Sequence, residues 1–219
     1  MPQPPRDNAK RASPRLYLLT PVIEDAARFA REFTGLAGGS DIAAVLLRLK
    51  AADERTLINR VKALAPAVQN AGAALLLDGQ ADLVARGGAD GAHISGAEEF
   101  VAAVGSLKPE RIAGCAGLHT RHDAMLAAES GADYVMFGEP DGGGQRPSTE
   151  AIVERIEWWA EVFEVPCVGY AASLDEIRTL VTAGADFVAV GDCIWNAPSG
   201  AAAALAAAAE HLSQMEAAG

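Results

Sequence analysis

The sequence is poor in cysteine, in aromatic residues and in positive charge. Its three cysteines show no metal-ligand spacing, and an odd number cannot pair completely into disulfides. We therefore expect a reducing compartment and a cytoplasmic protein. Lysine and arginine total 18 against 29 acidic residues, which gives a net charge of −11. Nucleic acid and anionic lipid would both repel such a chain, so neither is an expected partner.

Long apolar runs are missing as well. The apolar segments are short and interrupted, and none could cross a bilayer. The first residues, Met1 to Pro14, are polar and proline-rich without the apolar centre of a secretory signal. We predict a disordered leader over 1–14 and one domain over 15–219, since α/β barrels commonly have this length. The sequence leaves open whether copies associate into a homo-oligomer.

What the sequence does contain is a series of short apolar runs separated by amphipathic stretches. Continuous apolar character, rather than alternation, is typical of strands that are buried on both faces. Eight such runs predict eight strands: Leu16–Leu19, Ala43–Leu47, Ala73–Leu77, Gly91–Ile94, Arg111–Ala113, Tyr134–Phe137, Cys167–Tyr170 and Phe187–Val190. Helical periodicity between the runs predicts an alternating α/β chain.

Three helix ends share the phrase Gly-Ala-Asp and lead directly into the next strand. The phrase begins at Gly88, Gly131 and Gly184, where glycine can adopt a positive φ and end a helix. Ser173, followed three residues later by Glu176, predicts a capping box that opens another helix. Repetition of one α/β unit predicts a single (β/α)8 barrel. An open doubly wound sheet usually has a glycine-rich turn after its first strand, and none is present here.

In such barrels the chemistry lies at the carboxyl ends of the strands, and this rule selects candidate residues. Arg48 and Lys50 are one residue apart at the end of the second strand, so both are expected to face one anion site. The alternative is a basic strand end neutralised by nearby acids. Asp78 ends the third strand and could bind a metal or a ring amino group. It could equally be the N-cap of a helix beginning near Gln80.

His119 and Arg146 are further candidates in loops that follow strands. His119, after the fifth strand, could transfer a proton near neutral pH, or hydrogen-bond to backbone at the start of a helix. Arg146 follows Gly142-Gly143-Gly144 in the loop after the sixth strand. That loop could close over a phosphate or form a plain surface turn. His93, inside the fourth strand, is interpreted as a hydrogen-bonded structural histidine.

The order of these motifs resembles the thiamine-phosphate synthase family, which includes the related thiazole tautomerases. The resemblance runs from about Leu16 to the end of the chain. It depends on three blocks: Val45-Leu46-Leu47-Arg48-Leu49-Lys50, Gly88-Ala89-Asp90-Gly91-Ala92-His93-Ile94, and Leu118-His119-Thr120 with Ser130-Gly131-Ala132-Asp133-Tyr134. The family implies a barrel that joins a phosphorylated hydroxyethylthiazole to an aminopyrimidine methyl diphosphate with the help of Mg²⁺.

The resemblance also implies site residues, several of which depart from the family pattern. Arg48 and Lys50 are the diphosphate-binding cations, whereas Leu46 replaces a glutamine. Asp78 and Glu98 stand at magnesium-ligand positions, and Gly79 replaces an aspartate that the family uses. The positions that hold the thiazole phosphate, where the family has a glycine pair and a serine, are Ala171, Ala172, Gly191 and Asp192.

These departures leave three functions open. The first is a thiamine-phosphate synthase with impaired activity, because Asp192 places a negative charge where a phosphate oxygen belongs. The second is a thiazole tautomerase, in which His119 matches a catalytic histidine. The third is a non-catalytic paralogue that binds a phosphorylated small molecule or a protein partner.

Overall fold

A computed structural model of the chain describes residues 13–38 and 40–216. The predicted leader lies almost entirely outside the described residues, and the first strand begins at Arg15. The eight strands are β1 (Arg15–Ile23), β2 (Ile42–Leu49), β3 (Ala74–Asp78), β4 (Gly91–Ser95), β5 (Ile112–Ala116), β6 (Tyr134–Phe137), β7 (Cys167–Ala171) and β8 (Phe187–Val190). Each of the eight apolar runs lies on one of these strands.

The helices follow the strands in alternation, with an additional helix at the end. They are α1 (Ala26–Ala37), α2 (Glu54–Gln69), α3 (Val84–Gly87), α4 (Ala97–Ala103), α5 (Arg121–Glu129), α6 (Thr149–Val162), α7 (Leu174–Ala183), α8 (Asp192–Trp195) and α9 (Ala201–Glu216). Short 3₁₀ turns at Ala81–Leu83 and Val104–Ser106 adjoin α3 and α4. The expected one-to-one alternation is therefore wrong after β8, where two helices follow. No helix in the described ranges is long and apolar enough to cross a membrane.

The strands form a closed parallel barrel in which each pairs with the next and β8 returns to β1. Closure is made by the pairs from Arg15 with Phe187 to Leu18 with Val190. The predicted single (β/α)8 barrel is confirmed. Alternate residues of each strand face opposite sides, so the sheet has two apolar surfaces. On β1, Leu16 and Leu18 pack under the helices, while Tyr17 and Leu19 join the cluster inside the barrel.

The three Gly-Ala-Asp phrases perform the same task at the amino-terminal end of the barrel. Their glycines have φ between 79° and 105°, as the helix ends require. Each aspartate then accepts the first backbone N–H groups of a neighbouring strand. Asp90 binds Leu75, and Asp133 and Asp186 act in the same way on β5 and β7. The repeated phrase is thus a structural device at the end of the barrel opposite to the mouth.

Candidate active site at the mouth of the barrel

Two adjoining cavities open at the carboxyl ends of the strands. The central cavity measures about 410 Å³ and lies over the barrel axis, between Leu46, His93 and Tyr170. The lateral cavity measures about 490 Å³ and lies over β5 and β6, bounded by His119, Arg146 and Arg155. Both are lined by the same five residues: Ser95, Glu139, Pro140, Asp141 and Gly142. The two cavities therefore share one wall at the mouth.

Arg48 is the cation of the central cavity. Its backbone N–H donates to the hydroxyl of the buried Thr20 at 3.1 Å, and its Nε donates to the Thr20 carbonyl at 2.5 Å. The Nη2 atom lies 3.5 Å from Asp192 Oδ1. Burial raises the pKa of Asp78, which lines the same cavity, and the charge of Arg48 only partly opposes that rise. The structure thus brings Arg48, Asp78 and Asp192 together.

Lys50 does not join them. The strand ends at Leu49, and the Lys50 ammonium donates instead to Glu24 Oε2 at 2.7 Å on the outer rim. Half of its side chain is exposed, and it lies outside the lining of either cavity. The expectation that both cations point into one mouth is therefore wrong in this geometry. The alternative interpretation, in which a nearby acid neutralises the strand end, holds for Lys50, and the acid is Glu24.

The proposed magnesium ligands Asp78 and Glu98 line different depressions. Asp78 faces the central cavity, whereas Glu98 is exposed on the first turn of α4, in a depression with Glu99 and Asp123. No group of three metal-ligating side chains occurs in residues 13–38 and 40–216. These donors do not assemble into a protein-only magnesium site. The capping alternative for Asp78 is not seen either, since the turn after Gln80 has no side-chain cap.

His119 lies on the exposed rim of the lateral cavity. It directly precedes Thr120, whose side chain and that of Asp123 form a complete capping box for α5. The guanidinium of Arg155 donates to the backbone carbonyls of Leu118 and His119 and so holds this loop in place. The imidazole is positioned beside the cavity without being the helix cap.

Arg146 is already paired with an acid of the chain. Its Nη1 donates to both carboxylate oxygens of Glu176 at 3.0 and 3.1 Å, and its Nη2 donates to the Tyr170 carbonyl at 3.2 Å. Glu176 also accepts from the Thr149 hydroxyl at 3.0 Å and from the Ala172 amide at 2.8 Å. Burial would raise the pKa of Glu176, but these hydrogen bonds together hold that pKa below its ordinary value.

This network corrects the predicted capping box. Ser173 does stand at the N-cap of α7, but its side chain makes no capping hydrogen bond. Glu176 extends past it toward Arg146 and Ala172. The resemblance assigns that amide to phosphate binding, and Arg146 is the loop cation that could close over a phosphate. An internal carboxylate occupies both. Among the other phosphate positions, Ala171 is buried, Gly191 is the N-cap residue before α8, and the Asp192 side chain is 69% exposed beside Arg48.

A buried hydrogen-bonded chain links the barrel interior to the central cavity. The Tyr17 and Tyr134 hydroxyls lie 2.8 Å apart, and the Tyr134 hydroxyl lies 2.8 Å from His93 Nδ1. Tyr134 fits because Gly114 faces it: a Cβ at Gly114 would stand 1.9 Å from the Tyr134 ring. Burial lowers the pKa of His93 to about 4, so the imidazole is neutral near pH 7. The interpretation of His93 as a hydrogen-bonded interior histidine is confirmed.

The direction of these hydrogen bonds follows from counting protons. If Nδ1 carried the proton, Tyr134 would donate to Tyr17, whose own proton would find no acceptor within the described chain. If Tyr17 donates to Tyr134 and Tyr134 donates to Nδ1, both phenolic protons are used, and only the Nε2 proton of His93 lacks an acceptor among the described residues. We assign this arrangement because His93 lines the central cavity, where a bound molecule can accept the Nε2 proton, whereas Tyr17 lines neither cavity.

Glu139 is the site residue that the sequence reasoning missed. It lies two residues after the end of β6, and its Oε1 accepts from the Gly117 amide at 2.5 Å. Its Oε2 is buried without a hydrogen-bond partner among the described residues. Burial raises the pKa of Glu139, against the Gly117 hydrogen bond and the charges of His119 and Arg155. The available signal was an acid two residues after a buried strand.

A closed parallel barrel with a polar cavity over the carboxyl ends of its strands defines a (β/α)8 protein with a small-molecule site. Residues 16–194 match the family model described as thiamine monophosphate synthase. The chain therefore belongs to the thiamine monophosphate synthase family, a family of thiamine biosynthesis.

Individual relatives agree with this assignment. The thiamine-phosphate synthase of Rhodospirillum centenum is 41% identical, over 88% of this chain and 94% of the relative. That of Hyphomonas neptunium is 36% identical, over 88% and 91%. The solved structure of thiamine phosphate pyrophosphorylase from Pyrococcus furiosus has a TM-score of 0.74, covering 91% of this chain and 96% of its own. At 22% identity, that last likeness concerns the fold.

Proposed function

We propose that this chain is a thiamine-phosphate synthase-type transferase whose turnover is far below that of members with the complete motif set. In the family reaction, diphosphate leaves the methyl carbon of the aminopyrimidine. The thiazole nitrogen then forms a bond to that carbon and becomes positively charged. The observation that carries the proposal is Arg48, held by Thr20 with its guanidinium at the central cavity.

The residues around the cavity have separate tasks in this proposal. Arg48 binds the diphosphate and stabilises its charge as it leaves. Asp78 accepts a hydrogen bond from the ring amino group, and the Nε2–H of His93 donates to a ring nitrogen or an oxygen of the substrate. Magnesium stays a prediction from the resemblance. No step is assigned to it because Asp78 and Glu98 do not meet.

Two features support reduced turnover. Glu176 occupies both Arg146 and the Ala172 amide, the groups that would otherwise bind the thiazole phosphate. Asp192 adds a negative charge at the same rim, and one such charge close to a phosphate costs roughly 1 kcal/mol even when water screens it. The thiazole phosphate is therefore expected to bind weakly.

The test is product formation from the two substrates, measured with Mg²⁺ and with a chelator. We expect slow formation of thiamine phosphate by the unaltered chain. Arg48→Ala should weaken binding of the diphosphate substrate about ten- to a hundredfold, because it removes a charge-assisted contact. Lys50→Ala is the matched control and should change it less than about threefold, since Lys50 forms an exposed ion pair.

Two results would contradict the proposal. A turnover equal to that of complete family members would refute the reduced rate. Absence of product together with equal binding by Arg48→Ala and the unaltered chain would refute the transferase itself.

Binding without turnover is the second candidate function, and the Glu176 network favours it. The Glu176 carboxylate at the phosphate position stabilises the folded chain, but it blocks the phosphate binding that the reaction requires. Calorimetric binding of hydroxyethylthiazole phosphate without any product would support this candidate. The tautomerase alternative stays a prediction for His119, and Arg48→Ala would leave such proton transfer in place.

A further inference from the structure

Glu139 Oε2 is a buried acceptor that lacks a donor. The other oxygen of the same carboxyl is bound to the Gly117 amide, so the side chain is held in place while one oxygen remains unmatched. Leaving such a group unpaired destabilises the folded chain, and more so when the group is charged. A chain that carries this cost at the wall of two cavities has a polar position available to a ligand.

The cations of the two cavities do not supply the missing donor. Arg146 pairs with Glu176, and Arg155 donates to two backbone carbonyls of the β5–α5 loop. Arg48 donates to backbone and faces Asp192. Each of these guanidinium groups is engaged with its own partner, and none donates to Oε2.

Further acids line the same space. Asp141 lies beside Glu139 in both cavities, and Asp78 and Asp192 line the central one. Among the described residues that line it, the central cavity therefore has four acids, including Glu139, against the single cation Arg48. The titratable and charged groups that line the two cavities with Glu139 are Arg48, Asp78, His93, His119, Asp141, Arg146, Arg155, Tyr170 and Asp192.

We propose that Glu139 forms a binding site for a small organic cation that presents N–H donors, such as a protonated amine or an amidinium group. The ligand would lie where the two cavities meet and donate to Oε2. Its charge would offset the surrounding acids, and its N–H group would satisfy the unpartnered oxygen. This inference does not rest on the transferase activity, because binding requires no turnover.

The probe is benzamidinium, and its neutral isostere benzamide is the matched ligand. Calorimetry at pH 7.5 should show benzamidinium binding to the unaltered chain and benzamide binding at least tenfold more weakly. Glu139→Gln should weaken benzamidinium about ten- to a hundredfold, because the charge-assisted hydrogen bond is lost. Glutamine keeps an acceptor for the Gly117 amide, and a melting curve verifies that the variant folds.

Asp141→Asn is the control for general negative charge. It removes the same charge from the same wall, but Asp141 is exposed and already accepts from the Gly143 and Gln145 amides. Its effect should stay below about threefold. Three results would overturn the inference: equal binding of benzamide, equal losses in the two variants, or no benzamidinium binding to the unaltered chain. The comparison of the two ligands needs no variant, so it remains decisive if Glu139→Gln does not fold.

Discussion

The two sides of the barrel mouth differ in how completely their polar groups are hydrogen-bonded. On the β7 side, Arg146, Glu176 and the Ala172 amide satisfy one another through four hydrogen bonds of 2.8 to 3.1 Å, with Thr149 included. On the β6 side, Glu139 keeps one buried oxygen without a partner in the described chain.

The difference separates stability from function. A matched network, in which each group has a hydrogen-bond partner, stabilises the folded chain, and a ligand gains little by contacting it. An unmatched acceptor, buried without a donor, stabilises the folded chain less, but it can accept a hydrogen bond from a ligand. The phosphate positions inferred from the family lie on the matched side. The unmatched side contains a carboxyl, together with the neutral His93 donor. On this comparison we expect weak anion binding on the β7 side and propose binding of a nitrogen donor at Glu139.

The largest effect is expected from removing Glu176, because its carboxylate accepts the hydrogen bonds on the β7 side. Glu176→Ala frees Arg146 and the Ala172 amide, so inorganic phosphate should bind at least tenfold, and up to about a hundredfold, more tightly. The unfolding free energy should fall by about 1–3 kcal/mol, since the network is lost. Phosphate calorimetry and urea unfolding measure the two effects. Asp175→Ala, an exposed acid on the same helix, is the control. An equal gain there would mean that only net charge had changed.

A second test addresses the donor on the unmatched side. Tyr134→Phe leaves both Tyr17 and His93 Nδ1 without their hydrogen bonds and should lower the unfolding free energy by about 1–3 kcal/mol. Tyr17→Phe should cost less, because Tyr134 can still donate to His93. Urea unfolding of both variants at pH 7.5 gives the order. The reverse order would contradict the assigned direction of the hydrogen bonds.

The smallest expected effect concerns the pH dependence of Glu139. Its pKa is raised in the folded chain, so the folded state holds this proton more firmly than the unfolded state does. Stability therefore falls as pH rises from the unfolded pKa toward the folded one, and the loss is complete above it. Glu139→Gln removes that loss, so its gain in unfolding free energy over the unaltered chain should be larger at pH 8 than at pH 4.5. Glu98→Gln, which removes an exposed carboxylate, is the control for the loss of one negative charge.

The fold could be predicted because its signals are local. β6 and β7 are continuous apolar runs, as strands buried on both faces require, and the phrase at Gly184 ends one helix before β8. Family motifs also placed Arg48 and Asp78 at the mouth, because strand order alone determines which ends meet there.

The site was harder to predict because its contacts are not local. Tyr17 and Tyr134 are 117 residues apart, and nothing in either neighbourhood indicates the other. Strand alternation predicts that Lys50 faces the same side as Arg48, but β2 ends at Leu49 and the Lys50 ammonium binds Glu24 on the outer rim. Glu176 matches a capping motif, yet it bonds to Arg146, 30 residues away. The ion pair gives each of these two largely buried charges a partner of opposite sign.

The closure of the barrel has a consequence for the synthesis of the chain. β1 pairs with β2 on one side and with β8 on the other, so Arg15 must meet Phe187 before the ring is complete. The ribosome delivers β1 first and β8 almost last, and this contact cannot form during most of translation. Meanwhile one edge of β1 presents unpaired backbone groups that can accept a strand from another nascent chain. A chain truncated before β8 would therefore form an open sheet with an exposed, aggregation-prone edge rather than a smaller barrel.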